Sequence, residues 1–229
     1  KWSDRAGQTV IRVECARLAN PKTLRPGRRA RCAAQVWLDQ FRNRQRKPQR
    51  LAASADEKFY FDPMVKRLGR FTVLFRGKFL PEAGVEVVLR ADKLLEANDI
   101  DFRIIGHGLL EKEIRQLLAD LELKNVELIT DYLPIEILRQ KMLECHLALG
   151  QMANHSRLKR TIPHKAFESL ALKLPYLTGR NPGILELITE DETGFCFQPG
   201  DATDLAQKIK QLKNNPALLD QVAKKASAI

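Results

Sequence analysis

Arg160–Gly183 reads RTIPHKAFESLALKLPYLTGRNPG. Thr161 and Pro163 predict a helix start: a hydroxyl suited to the N-cap, then a proline near the first turn, where a missing N–H costs nothing. Ala166, Phe167, Leu170 and Ala171 recur at helical spacing, and the pattern ends at Lys173. Pro175–Gly179 predicts a short buried strand, and Asn181-Pro-Gly183 breaks the chain before another helix. Lys165 and Glu168 lie about one turn apart in the first helix. The amino end of such a helix, with free N–H groups and the positive end of its dipole, favours an anion such as phosphate. Taken alone, the same residues also read as an amphipathic helix with Lys165 and Glu168 on its wet face.

Outward from this stretch, strand and helix alternate from Phe71 to the end. Strands are expected at 71–79, 101–106, 125–130, 146–150, 175–179 and 194–198. Helices are expected at 82–98, 109–123 and 134–144, from Thr161 to Lys173, up to Ile188, from Thr203, and from Pro216 to Ile229. A Glu111–Arg115 pair supports the second helix, and residues 155–160 read as a loop. Cys145-His146 reads as a helix end running into a buried strand. Short apolar strands separated by helices imply an α/β fold, a parallel sheet covered on both faces. Ligands of such sheets bind beyond the carboxyl ends of the strands. Those ends carry Arg76-Gly-Lys78, Gly106-His-Gly108, Asp131-Tyr-Leu-Pro134, Gln151–Arg160 and Thr178-Gly179.

Of the 39 Lys plus Arg and 28 Asp plus Glu in the chain, the first fifty residues hold fourteen basic and three acidic, which leaves 25 of each from Leu51 onward. The net charge of +11 over 229 residues is therefore confined to an Arg-rich leader, residues 1–50. Its clusters at 25–31 and 42–50 suit weak contact with an anionic membrane surface. The preferred reading of this segment is a solvated, partly disordered leader or the remnant of another domain. Without aromatic interleaving or a nucleic-acid motif, nucleic acid is not an expected partner. The four cysteines show no metal or disulfide spacing, so no metal and a reducing cytoplasm are expected, with at most peripheral membrane contact. No apolar run approaches the ~20 residues needed to span a bilayer.

Arg160-Thr-Ile-Pro-His-Lys-Ala-Phe-Glu168-Ser-Leu-Ala171 resembles the donor-binding signature of family 4 of the retaining glycosyltransferases, which have the GT-B fold. It is close to a variant read as R-x-I-P-N-K-x-F-E-A-L-A. The resemblance runs in one order from about Leu51. Ser54–Pro63 is similar to the family's interdomain crossing, which makes 51–70 a linker. Gly77-Lys-Phe-Leu-Pro-Glu-Ala-Gly84 resembles its G-K-F-x-P-x-x-G turn. Ile104-Ile-Gly-His-Gly108 resembles I-x-G-x-G, and Pro199-Gly-Asp201 resembles the turn that closes this half.

The resemblance implies that 71–229 is the Rossmann-like carboxy-terminal half of a GT-B enzyme, binding a UDP- or GDP-type nucleotide diphosphate sugar. Glu168 then holds the ribose. Gly77, Lys78, Lys165, Pro163 and His164 lie at the diphosphate, Gly106 is a further nucleotide-sugar contact, and Asp131 and Tyr132 lie near the base. Arg160 stands where other members have a first glutamate, and with Arg157 it is a phosphate or sugar contact. No metal or other cofactor is implied, since basic groups meet the charge of the leaving diphosphate. The acceptor-binding half is lacking in this reading, so the alternative is a catalytically inactive nucleotide-binding or interaction module. Many relatives have a lysine at position 83, and Ala83→Lys is expected to add a phosphate contact. Glu168 is expected to face a wet cleft and not a core partner.

Overall fold

The computed structural model describes residues 59–227. The expectations for the leader, 1–50, and for linker residues 51–58 lie outside the described residues. Six strands form one sheet: β1 (Phe71–Arg76), β2 (Ile100–Ile105), β3 (Val126–Ile129), β4 (Leu147–Leu149), β5 (Tyr176–Gly179) and β6 (Phe195–Phe197). Every strand pair is parallel, in the order β3-β2-β1-β4-β5-β6. The chain starts in the middle at β1, steps outward through β2 to β3, and returns to lay β4 on the other side of β1. The strand order therefore reverses between β1 and β4, and a crevice opens at such a point beyond the carboxyl ends.

The helices are α1 (Val85–Leu94), α2 (Glu111–Asp120), α3 (Ile135–Leu143), α4 (His164–Ala171), α5 (Ala202–Lys213) and α6 (Pro216–Ala226). Strand side chains alternate between two cores, as the period of two demands. Val73, Phe75, Ile100, Phe102, Ile104, Leu147, Leu149, Leu177, Phe195 and Phe197 face α1, α2, α5 and α6. Leu74, Ile105, Ala148, Tyr176 and Cys196 face α3 and α4. Arg103 breaks the apolar pattern on the second face, but its charge is matched. Its Nε donates to Glu127 (2.5 Å) and its Nη1 to Glu144 (2.7 Å) and the Lys141 carbonyl (2.8 Å).

The α/β, Rossmann-like sheet is as expected, and the differences are local. The helix expected from 82 starts at Val85, because Gly84 adopts φ +68° after a single 3-10 turn at Pro81–Ala83. A Cβ at Gly84 would also lie 2.4 Å from the Ala153 nitrogen, so backbone meets backbone there. Residues Ser156–Arg160 form a 3-10 turn and not a plain loop, capped by His155, whose Nδ1 accepts from the Arg157 N–H at 3.2 Å. Thr161 does not cap the following helix. Its hydroxyl donates to the Arg157 carbonyl at 2.9 Å, and Pro163 takes the N-cap place with no side-chain capping bond. The helix expected up to Ile188 is only a 3-10 turn, Ile184–Glu186. Asp201 caps α5, accepting from the N–H groups of Thr203 and Asp204.

Candidate functional site

The amino end of α4 stands over the carboxyl ends of β1 and β4. Lys165 is buried at that junction. Its ammonium donates to the Gly150 carbonyl at 2.7 Å, just past β4, and lies 4.1 Å from the centre of the Phe75 ring on β1. A Cβ on Gly77 would come within 3.3 Å of the same nitrogen, so the turn after β1 presses directly onto Lys165. Burial, reinforced by the like charge of Arg76 and opposed by Glu168, pulls the Lys165 amine from 10.5 down to about 7. One turn further along α4, the Glu168 carboxylate accepts a hydrogen bond from Arg76 Nη1. The Arg76 guanidinium carbon also lies 5.6 Å from the centre of the Phe59 ring.

The two glycine turns after β1 and β2 interlock. The Gly77 N–H donates to the Ile105 carbonyl (3.0 Å), and the Phe79 N–H to the His107 carbonyl (2.9 Å). A Cβ at Gly106 would stand 1.9 Å from the Gly77 oxygen, so no side chain fits there. Gly77, Gly106, Lys165 and Glu168 are thus brought together with their neighbours Lys78, Pro163 and His164; Lys78 and His164 are exposed. Arg160 is exposed at the end of the 3-10 turn that leads into α4. Asp131 and Tyr132 stand apart, on the surface at the end of edge strand β3, two strands from β1, with Tyr132 88 % exposed.

Two expectations need correction. Glu168 is not without a partner: Arg76 holds it, and its side chain is only 13 % exposed. Position 83 does not open onto the crevice. Ala83 is 4 % exposed within the first core, and its carbonyl accepts from the Met152 N–H at 3.1 Å. Arg157, expected as a phosphate or sugar contact, is paired with Glu82 at 2.8 Å. Sequence reasoning placed Arg76 at a strand end without its pairing to Glu168, and it missed Phe59 and Phe75. A charge closing the apolar run FTVLFR was the one available signal for Arg76. Among the described residues, no group of three or more His, Cys, Asp or Glu is placed to hold a metal ion, and no helix is long and apolar enough to cross a membrane.

Residues 56–228 match the family profile described as glycosyl transferases group 1. The chain belongs to that family. It is 27 % identical over 145 residues to an uncharacterized glycosyltransferase of Methanocaldococcus jannaschii, which covers 63 % of this chain and 39 % of the relative. It is 25 % identical over 148 residues to an amylovoran biosynthesis glycosyltransferase of Erwinia amylovora, covering 63 % and 36 %. The chain thus spans well under half the length of these two curated relatives. Among solved structures, the C-terminal domain of a glycosyl transferase group 1 family protein from Francisella tularensis superposes with a TM-score of 0.62 at 16 % identity. That match covers 75 % of this chain and 93 % of the domain. An Anabaena protein, HepE, in complex with UDP-glucose gives 0.60 at 20 % identity, covering 70 % and 43 %. At these identities the likeness is one of fold, the carboxy-terminal Rossmann-like half of GT-B proteins.

Proposed function

We propose that this domain of the group 1 glycosyltransferase family binds a nucleotide diphosphate sugar, UDP- or GDP-type, as the donor for glycosyl transfer with retention. One observation carries the reading: Lys165 and Glu168 of α4 meet Arg76-Gly77 where the strand order reverses. Glu168 is a carboxylate with about four lone-pair sites, of which Arg76 uses one, so it can also accept from vicinal ribose hydroxyls. Lys165, Lys78 and the uncapped N–H groups of α4 face the diphosphate, and the interlocked Gly77 and Gly106 turns let backbone approach it. When the sugar leaves, the negative charge that grows on the diphosphate is met by these groups already in place. Arg160, His164 and Pro163 border the donor. Asp131 and Tyr132 lie on the base side, reached across the β2 end. The acceptor is bound by the partner half of a GT-B enzyme, and weak membrane-surface contact through 1–50 fits such an arrangement. The Anabaena neighbour's complexes with UDP and UDP-glucose support the nucleotide assignment by analogy of fold.

A thermal-shift screen with UDP, GDP, ADP and their sugars tests this. A true ligand at ~100 times its dissociation constant adds about 2.7 kcal/mol of stability. No shift with any of them overturns the donor reading. Arg160 in place of a carboxylate favours the second reading, an inactive nucleotide-binding module. Turnover of the bound donor with a panel of acceptors separates the two, since the module shows binding without transfer.

A further inference from the structure

We propose that Arg76 is the positioning residue of the donor site, fixing where the Glu168 carboxylate sits so that it meets the ribose hydroxyls; this rests on the donor reading above. Arg76 closes β1 and shares the parity of Leu74, so its side chain emerges on the face that carries α4. It joins residues 92 positions apart and links the centre of the sheet to the second turn of α4. Phe59 packs beside the guanidinium, and its ring is 2 % exposed, so Arg76 is held from its other neighbour as well. A pair this shielded from water adds little net stability, because losing hydration offsets most of the attraction. Its consequence is therefore geometric.

Lys165 shows what the geometry prevents. Its ammonium lies within the fields of both Arg76 and Glu168. Without Arg76, a cation still acting on Glu168 is Lys165, one turn nearer the amino end of α4. The carboxylate would turn toward it, away from the hydroxyls and onto the group that faces the diphosphate. Arg76 thus keeps two functions of one helix apart: Glu168 for hydroxyls, Lys165 for anions.

The test is calorimetric titration of the full chain with UDP and GDP, and with the 2′-deoxy analogue of whichever binds. Wild type, Arg76→Met, Arg76→Lys, Glu168→Gln and the Arg76→Met/Glu168→Gln double variant are compared, each with a melt. In wild type, the loss of the 2′-hydroxyl is expected to weaken binding about ten-fold. Arg76→Met should lose most of that discrimination, as Glu168→Gln does, and the double variant should be no worse than either. Arg76→Lys, which keeps the charge and guards against a folding defect, should retain part of it. Wild-type discrimination in Arg76→Met, or additive losses in the double variant, overturns the positioning role and leaves the donor reading standing. A wild type that binds neither nucleotide overturns the donor reading, and the positioning role with it.

Discussion

Glu168 is paired with Arg76 in the fold, and on the proposed donor reading the same carboxylate also meets the ribose. Glu168→Gln should weaken nucleotide binding roughly ten- to a hundred-fold, since a charge-assisted pair of hydroxyl bonds contributes ~1.5–3 kcal/mol. It should also lower stability by about 1–3 kcal/mol, between the values for exposed and buried pairs, because Arg76 is left shielded and unmatched. Titration and a melt on the one variant read both effects, and an unchanged affinity in a protein whose wild type binds nucleotide would sink the ribose assignment. Lys165 gives the residue scale its pH dependence. Its folded amine titrates near 7 and its unfolded one near 10.5, so between those values the unfolded chain binds more protons. Stability contributed through this group therefore rises with pH across that window. Melts at pH 7.0 and 8.5 should show a positive increment in wild type that is reduced in Lys165→Met; equal increments would mean that Lys165 is charged throughout.

At the scale of elements, the turn from β1 into α1 decides what position 83 can do. Ala83 points into the first core, beside a glycine whose backbone touches Ala153, so a lysine there must leave the core or bury its ammonium. Ala83→Lys is expected to lower the melting midpoint and to leave nucleotide affinity no better, by melt and titration; tighter binding with an unchanged midpoint would show that the turn faces the phosphates after all. The alternation of strand and helix was legible because strands buried on both faces leave unbroken apolar runs such as Val73-Leu-Phe75 and Leu147-Ala-Leu149. The signature around Pro163 also identified Lys165 and Glu168 as neighbours of the crevice. Helix ends were less legible. Thr161 carries the right group for a cap, yet the preceding 3-10 turn offers its hydroxyl the Arg157 carbonyl first. The Arg76–Glu168 contact was not legible, since no local pattern records a pairing between residues 92 apart. Nor does the exposed Asp131-Tyr132 pair carry any local sign of how far β3 lies from the reversal point.

For the whole molecule, the question is which residues close the domain. The two described cores are built from residues between Phe59 and Val222, and the first residue among them is separated from the basic leader by residues 51–58. Phe59 belongs to the core that α3 and α4 share, while Tyr60 stacks its ring 3.8 Å from the Arg139 guanidinium and Phe61 lies 4.9 Å from the Lys173 ammonium. Three consecutive aromatics thus tie this segment to β1, α3 and the end of α4. A chain of residues 51–229 should therefore unfold cooperatively near the midpoint of the full chain. A chain of 62–229 should not keep that midpoint, since removing a buried phenylalanine costs ~3–5 kcal/mol. It should also bind nucleotide more weakly, because Phe59 no longer packs beside Arg76. Circular dichroism melts and titrations on the three chains decide the matter. Loss of cooperative unfolding in 51–229 would make the leader part of the core. Equal midpoints for 51–229 and 62–229 would mean that the aromatic segment only rests on the domain and does not help to close it.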